Sequence, residues 1–418
     1  VRTVIGRSRK LSKYGCTRMK LLVNVDCLHA PLTGIGHYAR NLLSELRETG
    51  GLSDVQAIRA SGWASRDELE QMLAPVALSV DPGVVPANGF KQASLNGLRS
   101  VAKRVPYARS VKRHLQNRIA QAREAELAEY IYWEPNYNLL PINNRAVTTV
   151  HDLSHIHYPE FHPKERVELL NAHLSKSLER AHKVVTVSEF TREEVARSFG
   201  VPEEKLAVVS PAASAEFRPY TMLESRAVLL HYQLPDQYIL SLGTLEPRKN
   251  LLGLIAAYAQ LPVDYRNDYP LVLVGGKGWH TSAISEALGK LPAHQVRRLG
   301  YVPQTDLPKL VAAASVMAYP SFYEGFGMPV LEAMAAGTPV LTSNCSSMPE
   351  VSGGASILVE PTEADSISEG LLSLLSNRSL QESCREKGLL NAQRYSWSGS
   401  AQALFGVLRE CERSRNES

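Results

Sequence analysis

Short apolar runs alternate with helix-patterned segments along most of this 418-residue chain, and that rhythm leaves few folds open. In the second half, YILSLGT (238–244), PLVLVGG (270–276), VMAYPS (316–321) and PVLTSN (339–344) have the length and apolar continuity of buried strands. LLGLIAAYAQL, TSAISEALGKL, LPKLVAAAS and PVLEAMAAG supply helices between or beside them. The first half has a similar scheme, with KLLVNVD (20–26), EYIYWEPNYNLLP (129–141), AVTTVHDL (146–153) and KVVTVSEFTREEV (183–195). Such alternation predicts an α/β fold, with parallel sheets covered by helices on both faces. The length exceeds one ordinary core, so two similar domains in series are expected. The expected divisions are a leader at 1–18, domains at 19–215 and 216–394, and a final helix and tail at 395–418. The proline-bearing stretch Pro211–Pro235 reads as an irregular linker.

Charge is unevenly placed. The leader holds six Lys/Arg and no acid, which leaves forty Lys/Arg against forty-two Asp/Glu, a net of −2, in the remainder. The formal charge of +4 therefore belongs to the leader rather than to a nucleic-acid face. That leader lacks the apolar core of a signal peptide, and Met19, where the apolar pattern starts, is expected as the natural start. Five cysteines without a C-x-x-C pair suit a reducing compartment. With no apolar run near the ~20 residues of a membrane span, a cytoplasmic protein is expected. Residues 82–123 carry nine Lys/Arg and no acid, with apolar residues at helical spacing on either side of Pro106. This reads as two basic amphipathic helices, either a solvated pair with a core-facing stripe or, over 91–123, a peripheral contact with anionic membrane. Nucleic-acid binding is disfavoured, since Tyr107 is the one interleaved aromatic.

Four clusters carry chemistry. In PSFYEGFGMPVLEAMAAG (320–337), Glu324 and Glu332 bracket a Gly-Phe-Gly-Met-Pro turn that should open a helix, whose N-terminus favours an anion. Arg248 and Lys249 in GTLEPRKN stand at a strand end just before a helix near Asn250, a fork and a point charge suited to a diphosphate. Gly34 and Gly36 lie between the first strand and the following helix, where backbone amides can meet phosphate, although an unliganded βα turn would look the same. His151 and Asp152 head a loop at a strand's carboxyl end, where open α/β sheets place their ligand crevice. His151, His155, His157 and His162 match no defensible metal-ligand spacing, so no metal is expected.

GTLEPRKN, GYVPQTDLPKLVAAASVMAYPSFYEGFGMPVLEAMAAGTPV and SSMPEVSGGA, with TGIGHY, TVHDL and VVTVSEFT in the first half, resemble retaining glycosyltransferases of family 4. The resemblance runs from Met19 to about Leu408. It implies two Rossmann-like domains facing each other across a cleft, the GT-B fold, with the acceptor side first, the nucleotide-sugar side second, and the last helix crossing back onto the first domain. Residue by residue, it implies Glu324 and the backbone N–H groups of Phe326, Gly327 and Met328 on the donor sugar, Glu332 on the ribose, and Arg248 with Lys249 on the departing diphosphate. Gly34 and Gly36 would close on the phosphates, His151 would lie near the reacting centre, and Tyr301 and Val302 near the base. No D-x-D occurs, and neither cofactor nor metal is expected beyond the nucleotide-sugar substrate. The look is closest to bacterial O-antigen mannosyl- and rhamnosyltransferases. That implies a GDP-sugar donor, a polyprenyl-diphosphate-linked glycan acceptor, and work at the cytoplasmic face of the inner membrane. A UDP-sugar enzyme with a soluble acceptor, or a silent sugar-nucleotide-binding protein, are the alternatives.

Overall fold

The apolar runs assemble into two sheets in a computed structural model that describes residues 18–29, 32–74, 116–142, 145–276, 278–279 and 282–413. Most of the leader and of the basic 91–123 segment lies outside these residues. The first sheet comprises β1 (Met19–Asn24), β2 (Leu52–Arg59), β3 (Gly62–Ala64), β4 (Ile131–Glu134), β5 (Ala146–Val150), β6 (Lys183–Thr186) and β7 (Leu206–Val208). Its order is β3-β2-β1-β4-β5-β6-β7, parallel except for the β2–β3 pair. The second comprises β8 (Ile239–Leu242), β9 (Leu271–Val274), β10 (Val296–Gly300), β11 (Val316–Tyr319), β12 (Val340–Ser343) and β13 (Ile357–Val359). It is wholly parallel, in the order β10-β9-β8-β11-β12-β13.

Both sheets reverse strand order beside their first strand, between β1 and β4 and between β8 and β11. In doubly wound sheets that switch point opens a crevice at the carboxyl ends of the strands. Strands β4, β5, β9, β11 and β12 are buried along their whole length, as expected for parallel strands covered on both faces. The runs predicted as strands form them, although each strand is shorter than its apolar run; β1, for example, stops at Asn24 and gives way to a 3-10 turn at Asp26–Leu28.

The stretch expected as irregular linker is corrected by the structure, because it contains the helix Met222–His231. The reason is local: Thr221 and Glu224 form a reciprocal capping box that satisfies the first free N–H groups. The last helix, Trp397–Arg413, does cross back. Ala401, Leu404, Val407, Leu408 and Cys411 are buried, and the helix packs on the helix Gly34–Glu48 and on β4, β5 and β6. Residues from both sheets and this helix belong to one continuous apolar cluster.

Candidate active site

At the β8/β11 switch point the chain brings three predicted residues into direct contact. Arg248 and Lys249 lie on a 3-10 turn, Pro247–Lys249, after β8. Asn250 then takes a left-handed conformation, φ +53°, and its side chain accepts the Gly253 N–H to start the next helix. After β11, the loop 320–327 is drawn against this turn as the Phe322 N–H donates to the Arg248 carbonyl at 2.9 Å. The Glu324 carboxylate receives Arg248 Nη1 on Oε2 and Lys249 Nζ on Oε1, both at 2.6 Å. Arg248 also donates to Glu246 at 2.8 Å. The Tyr319 hydroxyl accepts from Lys249 at 2.6 Å and donates to Glu324 at 2.9 Å.

This is a buried cluster of two cations and two carboxylates. Burial alone would raise the Glu324 pKa, but Arg248 and Lys249 overcome it and hold the group at about 2. Lys249 is pushed downward by burial and by Arg248. Removing either partner would leave an uncompensated buried charge, which is far costlier than the pair is stabilising. Gly327 has φ +91° and caps the helix Met328–Ala335, with Pro329 in its first turn; a Cβ there would also meet Met348 Cε at 2.3 Å. Glu332 is the fifth residue of that helix. Burial raises its pKa to about 7.

His151 reaches the cluster through backbone. A Cβ on Gly325 would stand 1.7 Å from the His151 carbonyl oxygen, so only glycine lets the two halves close here. The Gly325 carbonyl accepts the Ser188 hydroxyl at 2.6 Å and the Thr191 hydroxyl at 3.1 Å. Ser188 also caps the helix Glu189–Phe199 by accepting the Thr191 N–H, while the first two N–H groups of that helix, on Glu189 and Phe190, donate to the carboxylate of Glu350, from the other half, at 2.9 and 3.0 Å. The His151 ring meets the Tyr38 ring edge-on at 5.1 Å. Its Nε2 lies 2.8 Å from the Pro135 carbonyl. A carbonyl can only accept, so Nε2 carries the proton and Nδ1 is left as the acceptor of a ring that burial keeps neutral.

The remaining predicted residues stand differently. Gly34 and Gly36 are the first and third residues of their helix. Gly36 is required by packing, since a Cβ would lie 2.5 Å from the Cys27 carbonyl, whereas Gly34 has open space. Tyr301 is 68% exposed and Val302 only 4%, so Val302 offers a ligand its backbone alone. Phe326 is buried against Tyr395, and Met328 is half-buried. Among the described residues no group of three or more His, Cys, Asp or Glu is gathered to hold a metal. No described helix is long and apolar enough to cross a membrane.

Family models agree with both halves: "Glycosyltransferase Family 4" matches residues 32–217 and "Glycosyl transferases group 1" residues 230–390. The chain is similar to the O-antigen chain mannosyltransferase B of Escherichia coli, 36% identical over 91% of this chain and 96% of that protein. It belongs to glycosyltransferase family 4. Two solved structures share the fold. Sucrose-phosphate synthase from Thermosynechococcus elongatus superposes with a TM-score of 0.68 at 19% identity, covering 94% of this chain and 99% of that one. Anabaena HepE in complex with UDP and glucose does so with 0.67 at 17%, covering 94% and 100%. The architecture is thus GT-B, and the chain is a glycosyltransferase.

In this family 4 enzyme, sequence reasoning missed Glu246, Tyr319 and the Ser188–Thr191–Glu350 clasp. Glu246 could have been found, because an acid two residues before a paired cation in GTLEPRKN is a ready counter-charge. Tyr319 sits inside an apolar strand run and announces nothing until the fold turns its hydroxyl onto Lys249.

Proposed function

We propose that this enzyme transfers a mannosyl unit, with retention of configuration, from a GDP-sugar to a lipid-linked glycan in O-antigen synthesis. The observation that carries the reading is the Arg248–Lys249–Glu324 cluster at the β8/β11 switch point. It offers cations to a diphosphate and, in Glu324, a carboxylate that those cations keep ionised before the donor binds. The name of the Escherichia coli relative supports the mannosyl donor and the O-antigen acceptor.

In this mechanism the diphosphate takes up Arg248, Lys249 and the amides at the start of the Met328 helix. Glu324 is thereby released to accept from the sugar's hydroxyls. As the C1–O bond to phosphate breaks, the two cations stabilise the growing negative charge without a metal. The acceptor hydroxyl attacks C1 from the face the diphosphate leaves, and its proton passes to a phosphate oxygen. Glu332 receives the ribose hydroxyls, and His151, neutral, lies beside the reacting centre. A lipid-linked acceptor would bring the enzyme to the cytoplasmic face of the inner membrane, with the basic segment 91–123 as its contact.

The test is a screen of GDP-mannose, GDP-rhamnose and UDP-sugars with a polyprenyl-diphosphate-linked acceptor mimic, with and without EDTA. Transfer from GDP-mannose that survives EDTA is expected. Turnover with UDP-sugars alone, or strict dependence on added divalent metal, would overturn the corresponding part.

A further inference from the structure

A cavity of about 330 Å³ lies between the two halves, against the backbone of the loop that carries Glu324. Its walls include Tyr158, Phe190, Phe322 and Tyr323, and its ionisable lining is dominated by Glu194 and His157. Phe190 meets Tyr323 edge-on at 5.7 Å, and Tyr158 meets it at 5.7 Å with a 55° tilt, so these rings frame the space rather than close it by stacking together. The buried Glu194 accepts the Tyr323 hydroxyl on one oxygen and lies 3.0 Å from His157 Nε2 with the other. A carboxylate has about four acceptor positions, so capacity remains for hydroxyls of a ligand. Tyr323 in turn accepts the Leu153 N–H at 3.1 Å, which fixes the ring between the two halves.

Size, aromatic walls and one hydrogen-bonded carboxylate suit a neutral polyol ring. The volume is at the lower end of ligand pockets, about 300–1,000 Å³, and an anionic group would meet the Glu194 carboxylate. Proximity to the chemistry comes from Ser346. It lines the cavity, holds φ +54°, and its hydroxyl accepts the Glu324 N–H at 3.1 Å. A non-glycine residue in that conformation is strained and persists where its surroundings over-determine it.

We infer that this cavity is a subsite for one pyranose ring of the acceptor glycan, seated on the aromatic walls with its hydroxyls on Glu194. The inference rests on the glycosyl-transfer reading above. With GDP-mannose saturating and a short polyprenyl-diphosphate-linked oligomannoside varied, Phe190→Ala, which removes a wall, and Cys345→Trp, which fills the space from the lining residue beside Ser346, should each raise the acceptor KM about tenfold, about 1.4 kcal/mol. The Kd for GDP should be unchanged, which also reports that the fold is intact. An unchanged acceptor KM in both variants would overturn the subsite. If the wild type transfers to no acceptor, the functional reading fails on its own. Saturation-transfer NMR with methyl α-D-mannopyranoside then decides the cavity: signal abolished by Cys345→Trp supports it, and equal signal in wild type and variant, or none in wild type, removes it. Should Cys345→Trp fail to fold, Phe190→Ala carries both measurements.

Discussion

The two switch points are topologically alike and chemically opposite. Beside β8, a buried carboxylate is met by Arg248 and Lys249 and stays ionised, its pKa near 2. Beside β1, the carboxyl of Glu134 at the end of β4 is equally buried but is met by neutral groups: the Asn24 amide at 2.8 Å, the Tyr132 hydroxyl at 2.6 Å and the Asn136 N–H at 3.3 Å. Burial dominates there and pushes its pKa to about 8. The fold opens a crevice in both places. Whether that crevice handles charge is decided by two or three side chains on its loops.

The comparison breaks most sharply at Glu324. Glu324→Ala should lower transfer kcat about 10³-fold while leaving the calorimetric Kd for GDP within a few-fold, since both cations remain; undiminished turnover would remove it from the site. Next comes the contact that joins the two halves. Gly325→Ala sets a methyl against the His151 carbonyl, and a displacement of that size should cost about 10²-fold in kcat/KM. Small-angle scattering should show a wider molecule, and an unchanged profile with full activity would mean closure does not need that contact.

A smaller effect separates Glu332 from its ionised neighbour. Burial raises its pKa to about 7, so below that pH the empty enzyme holds the proton, whereas ribose hydroxyls need the carboxylate as acceptor. GDP binding should therefore tighten as pH rises through about 7. Glu332→Gln should lose that slope and weaken binding about tenfold at pH 8; a slope that persists in the variant would place the proton elsewhere. The least effect is expected at Glu134. Its folded pKa is raised, so wild-type stability falls as pH climbs from about 4.3, the unfolded carboxyl value, towards 8. Glu134→Gln should flatten that part of the stability–pH curve, so that variant and wild type diverge as pH rises from about 4.3. Urea titrations at several pH values measure both.

Central strands were legible because burial on both faces leaves an uninterrupted apolar run, as in LVLV of β9 or VMAY of β11. The strands that escaped notice lie at or near sheet edges. β10 is VRRLG with its arginines exposed, β13 is three residues long, and β2, LSDVQAIR, is half-buried beside the short β3. A strand covered on one side needs no apolar run, so periodicity cannot reveal it. The same limit applies to the site. Charged residues carried by recognisable motifs, Arg248 with Lys249 in GTLEPRKN and Glu324 in PSFYEGFG, could be assigned to one crevice although about 75 residues separate them. Partners that meet only after folding could not: Tyr319 is five residues from Glu324, but Glu350 lies 161 from the helix end it caps. Met222–His231 was hidden by its flanking prolines, which mark breaks in the chain without saying what stands between them.

The returning helix has a consequence for biogenesis. Domains generally mature as units during synthesis, N-terminal first, at about 5–20 residues per second. Here the sheet built from residues 19–208 receives its cover from Trp397–Arg413. The first half must therefore wait, with an apolar groove open beside Tyr38 and Leu42, while roughly two hundred further residues are translated, a delay on the order of ten to forty seconds. During that interval the nascent chain is a natural client for a chaperone. A gene split between the two halves would yield an N-terminal fragment that never completes its own core.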